Sequence, residues 1–350
     1  MSQGENHNGL SAERMEAIRR SWSEASVTPL WETAVHRVAQ GAPRGRHWRW
    51  SDIRPLIDDA VAVTTTENAE RRVLALNNPD AKGGRNTATN INANFQVLVA
   101  GETARPHRHT ANALRFVVEG SGGVTTVDGK ECLMSPGDLV ITPGGSWHEH
   151  AHRGEGVLVW LDVLDVPLHQ YLGTQVFEPG PVKNLPPTIA DSAFAGAGLA
   201  PVLEGSQTLY SPLFRFPKAA WEAALTAAPA HGDGARSIRI INPLTGAPAM
   251  PLMDCRLMRI RKGEPTAAMR SNANAACFVV SGHGRSRVGE QTFDWTTHDV
   301  FTMPGHNGVT HECLSDEATL FLVSDREVLR RLDLLVEEPV NMKACAPGGV

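Results

Sequence analysis

From residue 95 the chain alternates short β-branched runs with turn residues. FQVLVA, ALRFVVEG, GVTTVDG, DLVITPG and GVLVWLDV follow one another between residues 95 and 163. Gly, Pro and Asp separate them at about ten-residue spacing, which predicts short strands in an antiparallel barrel or sandwich. Ahead of them the period changes. Met15, Ile18, Trp22 and Ala25 recur at three- and four-residue steps with charges between them. Residues 11–40 are therefore the best helical candidate, with Ser11 as N-cap and Pro29 breaking the pattern. Residues 41–50, GAPRGRHWRW, read as a loop rich in Arg and Trp, a surface arm packed on a partner subunit.

The strand pattern then repeats. Gly101-Glu102 falls on Gly263-Glu264, Phe116-Val117-Val118 on Phe278-Val279-Val280 and Gly120 on Gly282, all at an offset of 162. After one deletion, Thr142-Pro143-Gly144 falls on Met303-Pro304-Gly305 at 161. Anchors in one order with one indel predict two copies of one β-fold. The expected layout is a helical and arm segment over 1–94, a first β-domain over 95–178 and a Pro/Gly/Ala-rich linker over 179–235. A second β-domain over 236–338 and a frayed tail over 339–350 complete it. Within the linker, residues 221–228 are a short helical candidate.

Composition narrows the class. Hydrophobic residues at 41% and charged residues at 20% exclude a mainly disordered chain. The balance of 33 Lys+Arg against 38 Asp+Glu gives −5 and no basic block, which disfavours a nucleic-acid surface. The opening segment is polar and without a signal-peptide core, and no apolar run approaches bilayer length. Cys132, Cys255, Cys277, Cys313 and Cys345 are odd in number with no CxxC pair, so reduced thiols in a cytoplasm are expected.

The chemistry is concentrated in the first copy. His107-Arg108-His109 lies in a strand-like run, and alternation puts the two imidazoles on one face, where both can grip one metal ion. A third imidazole, His148, arrives after the turn Ser135-Pro136-Gly137-Asp138 and a return strand. Positions 113 and 114, four and five residues after the pair, are Ala113 and Leu114, so no carboxylate joins the set. Three neutral imidazoles leave a divalent ion its full charge and open positions for an anionic chelating ligand. Arg115 shares the inward parity, and a buried cation there needs an anion: either a substrate carboxylate or a structural partner such as Glu119 or Asp162.

GETARPHRHTANALRFVVEGSG, followed by MSPGDLVITPGGSWHEH, resembles the cupin family, and within it the gentisate 1,2-dioxygenase group of bicupins. That group includes salicylate, 1-hydroxy-2-naphthoate and 5-nitrosalicylate dioxygenases. The likeness runs from about residue 31 to residue 332, is strongest over 95–162 and is weak in the second copy. It implies an all-β-dominated bicupin of two jelly-roll barrels with an N-terminal helical segment. It implies one Fe(II) per chain on His107, His109 and His148. The implied reaction is O2 insertion between the ring carbons bearing carboxylate and hydroxyl of a salicylate-type acid.

By the same resemblance Arg115 clamps the substrate carboxylate, and His150 binds substrate or moves a proton. The alternative for His150 is an orienting or core residue. Asp162 matches an acidic position that holds a histidine or arginine, the alternative being a satisfied core carboxylate. Arg71 is implied as a second anion contact and Gln96 as a polar pocket residue. Asn92 stands where several relatives carry Trp, which opens volume and adds donors for a substituted ring such as 5-nitrosalicylate. His152 is expected at the barrel mouth in water. A homotetramer is also implied.

In the second copy Met269, Ser271 and Val309 stand opposite His107, His109 and His148, and Cys277 opposite Arg115. His311 still stands opposite His150. This copy is expected to be metal-free and structural, with a separate site on His298, His306 and His311 a lesser possibility. Two other function classes fit a bicupin: a metal-dependent isomerase or oxidase of another small acid, and a non-enzymatic ligand-binding protein.

Overall fold

Period-two runs pair into two stacked barrels in the computed structural model, which describes residues 10–32, 44–81, 86–196, 199–204, 209–263 and 265–341. The chain divides into two units, residues 1–42 and 43–350. In the first, helix α1 (Ala12–Glu24) starts at Ser11, whose side chain accepts from Arg14 N at 3.2 Å. Trp22 meets Trp31 edge to face at 5.9 Å between ring centres. Residues 33–40 of the helical candidate lie outside the described residues.

The second unit begins with strand β1 (His47–Trp48), helix α2 (Trp50–Val63), helix α3 (Thr66–Ala69) and β2 (Arg72–Ala75). The first barrel continues with β3 (Asn92–Val99), β4 (Thr103–His109), β5 (Ala113–Glu119), β6 (Gly123–Val127) and β7 (Lys130–Met134). It closes with β8 (Leu139–Thr142), β9 (His148–His152), β10 (Val157–Leu164), α4 (Val166–Leu172) and β11 (Phe177–Pro179). β12 (Arg215–Phe216) and α5 (Lys218–Ala227) follow, then β13 (Arg236–Arg239) and β14 (Asp254–Arg261). The second barrel runs on through β15 (Met269–Ser271), β16 (Ala275–Ser281), β17 (Gly284–Val288), β18 (Gln291–Trp295) and β19 (Val300–Met303). β20 (Gly308–Cys313), β21 (Glu317–Ser324), α6 (Arg326–Arg331) and β22 (Glu337–Pro339) end it.

Each barrel is a six-stranded sheet facing a five-stranded one. The orders are β12-β8-β5-β10-β3-β2 over β11-β4-β9-β6-β7, and β1-β19-β16-β21-β14-β13 over β18-β17-β20-β15-β22. All named pairings are antiparallel, the jelly-roll arrangement expected of a bicupin. The repeat extends to side chains. Asn112 donates through N and Nδ2 to both oxygens of Asp165 at 2.7 Å, and Asn274 does the same to Asp325 at 2.7 and 2.8 Å. Each strut ties the start of an inner strand to the helix that closes its barrel.

The six-stranded sheets pack back to back. Phe116, on the outer face of β5, meets Phe278 at 5.2 Å and Phe321 at 4.9 Å between ring centres, all three buried. Full burial of one such side chain contributes ~1.5–3 kcal/mol, so the barrels share one apolar core. Their interiors differ. Val279, Trp295, Phe301 and Leu320 fill much of the second, whereas the first buries histidines, Arg115 and Asp162.

Three local expectations change. Of the 41–50 arm, expected to pack on a partner subunit, residues 41–43 lie outside the described residues and the rest packs on its own chain: β1 joins β19, Arg46 N donates to Thr302 Oγ1 at 2.8 Å, and His47 Nε2 lies 2.9 Å from Asp299 Oδ2. Helix α2 was not anticipated, since Pro55 inside it removes a backbone donor; its apolar stripe nevertheless buries Ile57. In the linker, α5 starts at Lys218, three residues before the candidate, and β12 adds an edge to the first barrel. Of the tail, Pro339 ends β22 and residues 342–350 lie outside the described residues.

Candidate metal centre

β4, β9 and β6 lie side by side in the five-stranded sheet of the first barrel, and pleating turns alternate residues inward. His107 pairs directly with His148 across β4 and β9. His109 follows on β4, so three imidazoles converge, with ring centres 4.0 Å apart for His107–His148, 4.8 Å for His109–His148 and 5.5 Å for His107–His109. One ligand nitrogen from each lies within 4.8 Å of the others.

The backbone selects the tautomer. His107 Nδ1 lies 3.0 Å from Arg105 O, His109 Nδ1 2.7 Å from Ala111 O, and His148 Nδ1 3.0 Å from Ser146 O. A carbonyl can only accept, so each Nδ1 carries the hydrogen and each Nε2 keeps its lone pair. His148 Nε2 is buried without a hydrogen-bond partner. Burial pushes His107 down to about 3, with Arg71 adding to the effect, and His109 down to about 4. Burial also holds His148 and His150 well below the usual imidazole value. All are neutral at pH 7, and an orphaned lone pair among neutral donors fits a divalent transition-metal ion. Among the described residues no other group of three His, Cys, Asp or Glu is so arranged.

Around the trio the inward residues of β3, β5 and β10 form one wall. Register places Arg115 opposite Asp162, Asp162 opposite Asn94, and Trp160 opposite Gln96. Arg115 Nε lies 3.1 Å from Asp162 Oδ1, and Arg115 donates through Nη1 to Thr142 Oγ1. Of the two partners considered for Arg115, Asp162 is therefore the one present, and Glu119 instead accepts from Arg54 at 2.8 Å. Asp162 Oδ2 accepts from Trp160 Nε1 at 2.9 Å. Gln96 is buried with Nε2 unpartnered, and Asn92 faces the same way at the start of β3 with Oδ1 unpartnered.

His150 is buried one inward step beyond His148. Its Nδ1 lies 2.9 Å from Thr125 Oγ1, which is also 3.1 Å from Met134 Sδ, so its tautomer follows where that hydroxyl sends its hydrogen. The two arginines of the Glu70-Arg71-Arg72 run separate: Arg72 is buried and paired with Glu102, while Arg71 sits over Phe177, 5.3 Å from Cζ to ring centre. Arg71 Nε is buried without a partner, Nη2 pairs with Glu70 at 3.0 Å, and its charge acts on His107, His109 and Asp162.

His152 is the correction. It is 1% exposed rather than in water, because Gly123 faces it across β6 and Gly154 folds over its ring. In the second barrel His298 stacks on Phe278 at 5.8 Å, on the face between the barrels, while His311 lies inside with Ser286, so the two do not converge. Sequence reasoning missed Phe177, stacked on His107 at 5.3 Å, and the pair Trp160 and Asn94. The last two had a signal, since each lies two residues from a residue already assigned inward. Phe177 had none, being 70 residues from the ring it covers.

Residues 94–164 match the model of the cupin domain. The chain is 36% identical over 339 residues to the 5-aminosalicylate 1,2-dioxygenase of a Comamonas species, covering 93% of this chain and 90% of that one. It is 35% identical to gentisate 1,2-dioxygenase 1 of Aquipseudomonas alcaligenes over 87% of this chain and 91% of that one. Among solved structures, the salicylate 1,2-dioxygenase of Pseudoaminobacter salicylatoxidans with gentisate superposes with a TM-score of 0.86 at 27% identity, covering 95% of this chain and 98% of that one. With the two barrels and the histidine trio, these likenesses place the chain in the gentisate 1,2-dioxygenase family of bicupins, enzymes that cleave aromatic rings.

Proposed function

We propose that this chain is an Fe(II)-dependent dioxygenase that opens a salicylate-type aromatic acid between the carbons bearing its carboxylate and its hydroxyl. Gentisate and 5-substituted salicylates, 5-nitrosalicylate among them, are the proposed substrates. The observation that carries the reading is the trio of neutral imidazoles, Nε2 lone pairs converging with no carboxylate among them, beside a buried guanidinium. Held by His107, His109 and His148, Fe(II) would supply a redox-active Lewis acid with positions free for a bidentate substrate and for O2.

The protein's own groups set the geometry. Arg115, steadied by Asp162 and Thr142, takes the substrate carboxylate. Arg71 adds a second positive charge from the side of Phe177, and Phe177 with Trp160 gives the ring apolar walls. His150, neutral and held by Thr125, receives or returns the phenolic proton. Gln96 offers an unengaged amide to a polar substituent, and Asn92 leaves room where an indole would close the pocket.

No helix among the described residues is long and apolar enough to cross a membrane, and four buried cysteines are unpaired, which supports a cytoplasmic location. A homotetramer is proposed on family likeness and is tested by light scattering. The activity is tested by oxygen uptake of anaerobically purified, Fe(II)-loaded protein with gentisate, salicylate, 5-nitrosalicylate and 1-hydroxy-2-naphthoate. One O2 consumed per ring lost is the expected result. No uptake with iron confirmed bound would overturn the reading.

A further inference from the structure

The barrel without the histidine trio is not filled to its mouth. At the end that corresponds to the metal centre it holds a cavity of about 410 Å3, within the range of roughly 300–1,000 Å3 typical of small-molecule sites. Met269, Ser271 and Val309, the residues standing where the first barrel has its three histidines, line it. Loss of the ligands has therefore left a chamber rather than a packed core.

The chamber also keeps a cation, at a different place. Cys277 replaces Arg115 on β16, but Arg256 on β14 occupies the position of Asn94 at the same offset of 162. Register sets Arg256 opposite Leu322 and Leu322 opposite Cys277, so all three face the interior. The guanidinium has moved two strands along the same wall. Its Nε donates to Asp254 Oδ2 at 3.0 Å, and that carboxylate also serves Arg239 at 2.8 Å. Among the described residues nothing takes its two Nη groups. Arg326 is neutralised by Glu337 at 2.6 Å, and at the rim Asp233 has both oxygens engaged by the N–H groups of Ala235 and Ala267, at 3.1 and 2.7 Å.

A second donor comes from His311. Its Nδ1 lies 2.7 Å from Ser286 Oγ, which accepts from Trp295 Nε1 at 2.8 Å. The serine can send its own hydrogen to Nδ1, and in that tautomer the ring presents Nε2–H to the cavity as the second donor. Met258, two residues from Arg256 on β14, Met303 on β19 and Met269 on β15 add sulfur and methylene surface to the lining, which suits the face or edge of a flat ring.

We propose that the second barrel binds a small aromatic carboxylate and leaves it unchanged, its carboxylate on Arg256 and its ring among the three methionines. The site has no metal ligands, and it is independent of whether the first barrel acts on the same class of acid.

Equilibrium dialysis of salicylate under nitrogen, on the full metal-loaded chain, tests this. Titration to about 5 mM would detect a millimolar site. Two molecules per chain are expected, falling to one in Met269→Trp, which fills the chamber from a half-exposed position, and likewise in Arg256→Gln. Turnover at the first barrel is expected to persist in both. In the His107→Ala chain, one salicylate should remain and be lost on adding Met269→Trp, whatever the first barrel does. A parent chain that binds a single molecule and still binds it in Met269→Trp, or one that binds two and still binds two in both variants, would overturn the proposal. Equal binding of cyclohexanecarboxylate would overturn the preference for an aromatic ring.

Discussion

Arg115 and Asp162 form an ion pair inside the first barrel, 3.1 Å from Nε to Oδ1, with 3% and 5% of the residues exposed. Burial pushes the aspartate up and the arginine down, against their mutual attraction, so the pair is held under tension with its surroundings. Removing one partner strands the other charge. Asp162→Asn is expected to cost ~3–5 kcal/mol of unfolding free energy, and Asp162→Leu with Arg115→Met much less than the sum of the single changes. Urea denaturation of the parent, Asp162→Asn, the two singles Asp162→Leu and Arg115→Met and their double variant measures this; additive losses in the double would show that the two charges do not depend on each other.

Arg115→Gln separates the clamp from the strut. It keeps a donor near Thr142 but removes the charge that would meet a carboxylate. A charge-assisted hydrogen bond of ~1.5–3 kcal/mol corresponds to a rise of roughly 10- to 150-fold in substrate dissociation constant. Metal content should be unchanged. Anaerobic substrate titration with metal analysis of the same sample gives both numbers, and unchanged affinity would return Arg115 to a purely structural role.

His107→Ala and His148→Ala each remove one of three converging lone pairs. Both are expected to lower metal affinity by more than the ~10–100-fold that follows from losing a group that merely orients a ligand. The readout is metal per chain after dialysis against a graded chelator. Retention of a full equivalent in His148→Ala would place the ion elsewhere.

Much of this centre was legible because its residues are close in sequence and obey strict alternation. His107 with His109, and His148 with His150, need only a period of two, and the return turn at Pro136-Gly137 brings the strands together. The rest depends on encounters that local pattern does not encode. Phe177 reaches His107 only after β11 pairs with β4, and β1 finds β19 across more than 250 residues. His152 looked exposed because a strand end usually is; two glycines reverse that. The cavity of the second barrel was hidden for another reason: alignment by position reports the loss of Arg115 and is silent about Arg256, which restores charge from a neighbouring strand.

Asn92→Trp tests ring tolerance. Asn92 Oδ1 is buried without a partner, and an indole would fill the space it leaves. Relative to the parent chain, kcat/KM for 5-nitrosalicylate against gentisate should fall by about 10- to 100-fold, the scale at which pocket volume discriminates. A ratio unaffected by the change would detach Asn92 from the substrate.

His311 makes the second barrel acid-sensitive. Burial lowers it to about 4, against about 6.5 in the unfolded chain. Below pH 6.5 the unfolded chain gains a proton that the folded one refuses, so stability is lost as pH falls from 6.5 towards 4 and is fully present above that window. Between pH 7 and pH 5 the loss is roughly 2 kcal/mol. In His311→Gln this part of the pH dependence should disappear; denaturation curves at pH 7 and pH 5 compare the two chains. An unaltered difference between the two pH values would mean that His311 already titrates normally.

The pairing of β1 with β19 also bears on synthesis. His47 and its partner Asp299 are 252 residues apart, and the whole first barrel is encoded between them. At ~5–20 residues per second a ribosome takes roughly 10–50 s to cover that distance. During that interval the segment that finishes the last barrel exists without its acceptor, while the first barrel already has its strands. Closure of the chain is therefore a late event of very high contact order, and the β19 edge is unprotected until a segment made near the beginning returns to cover it.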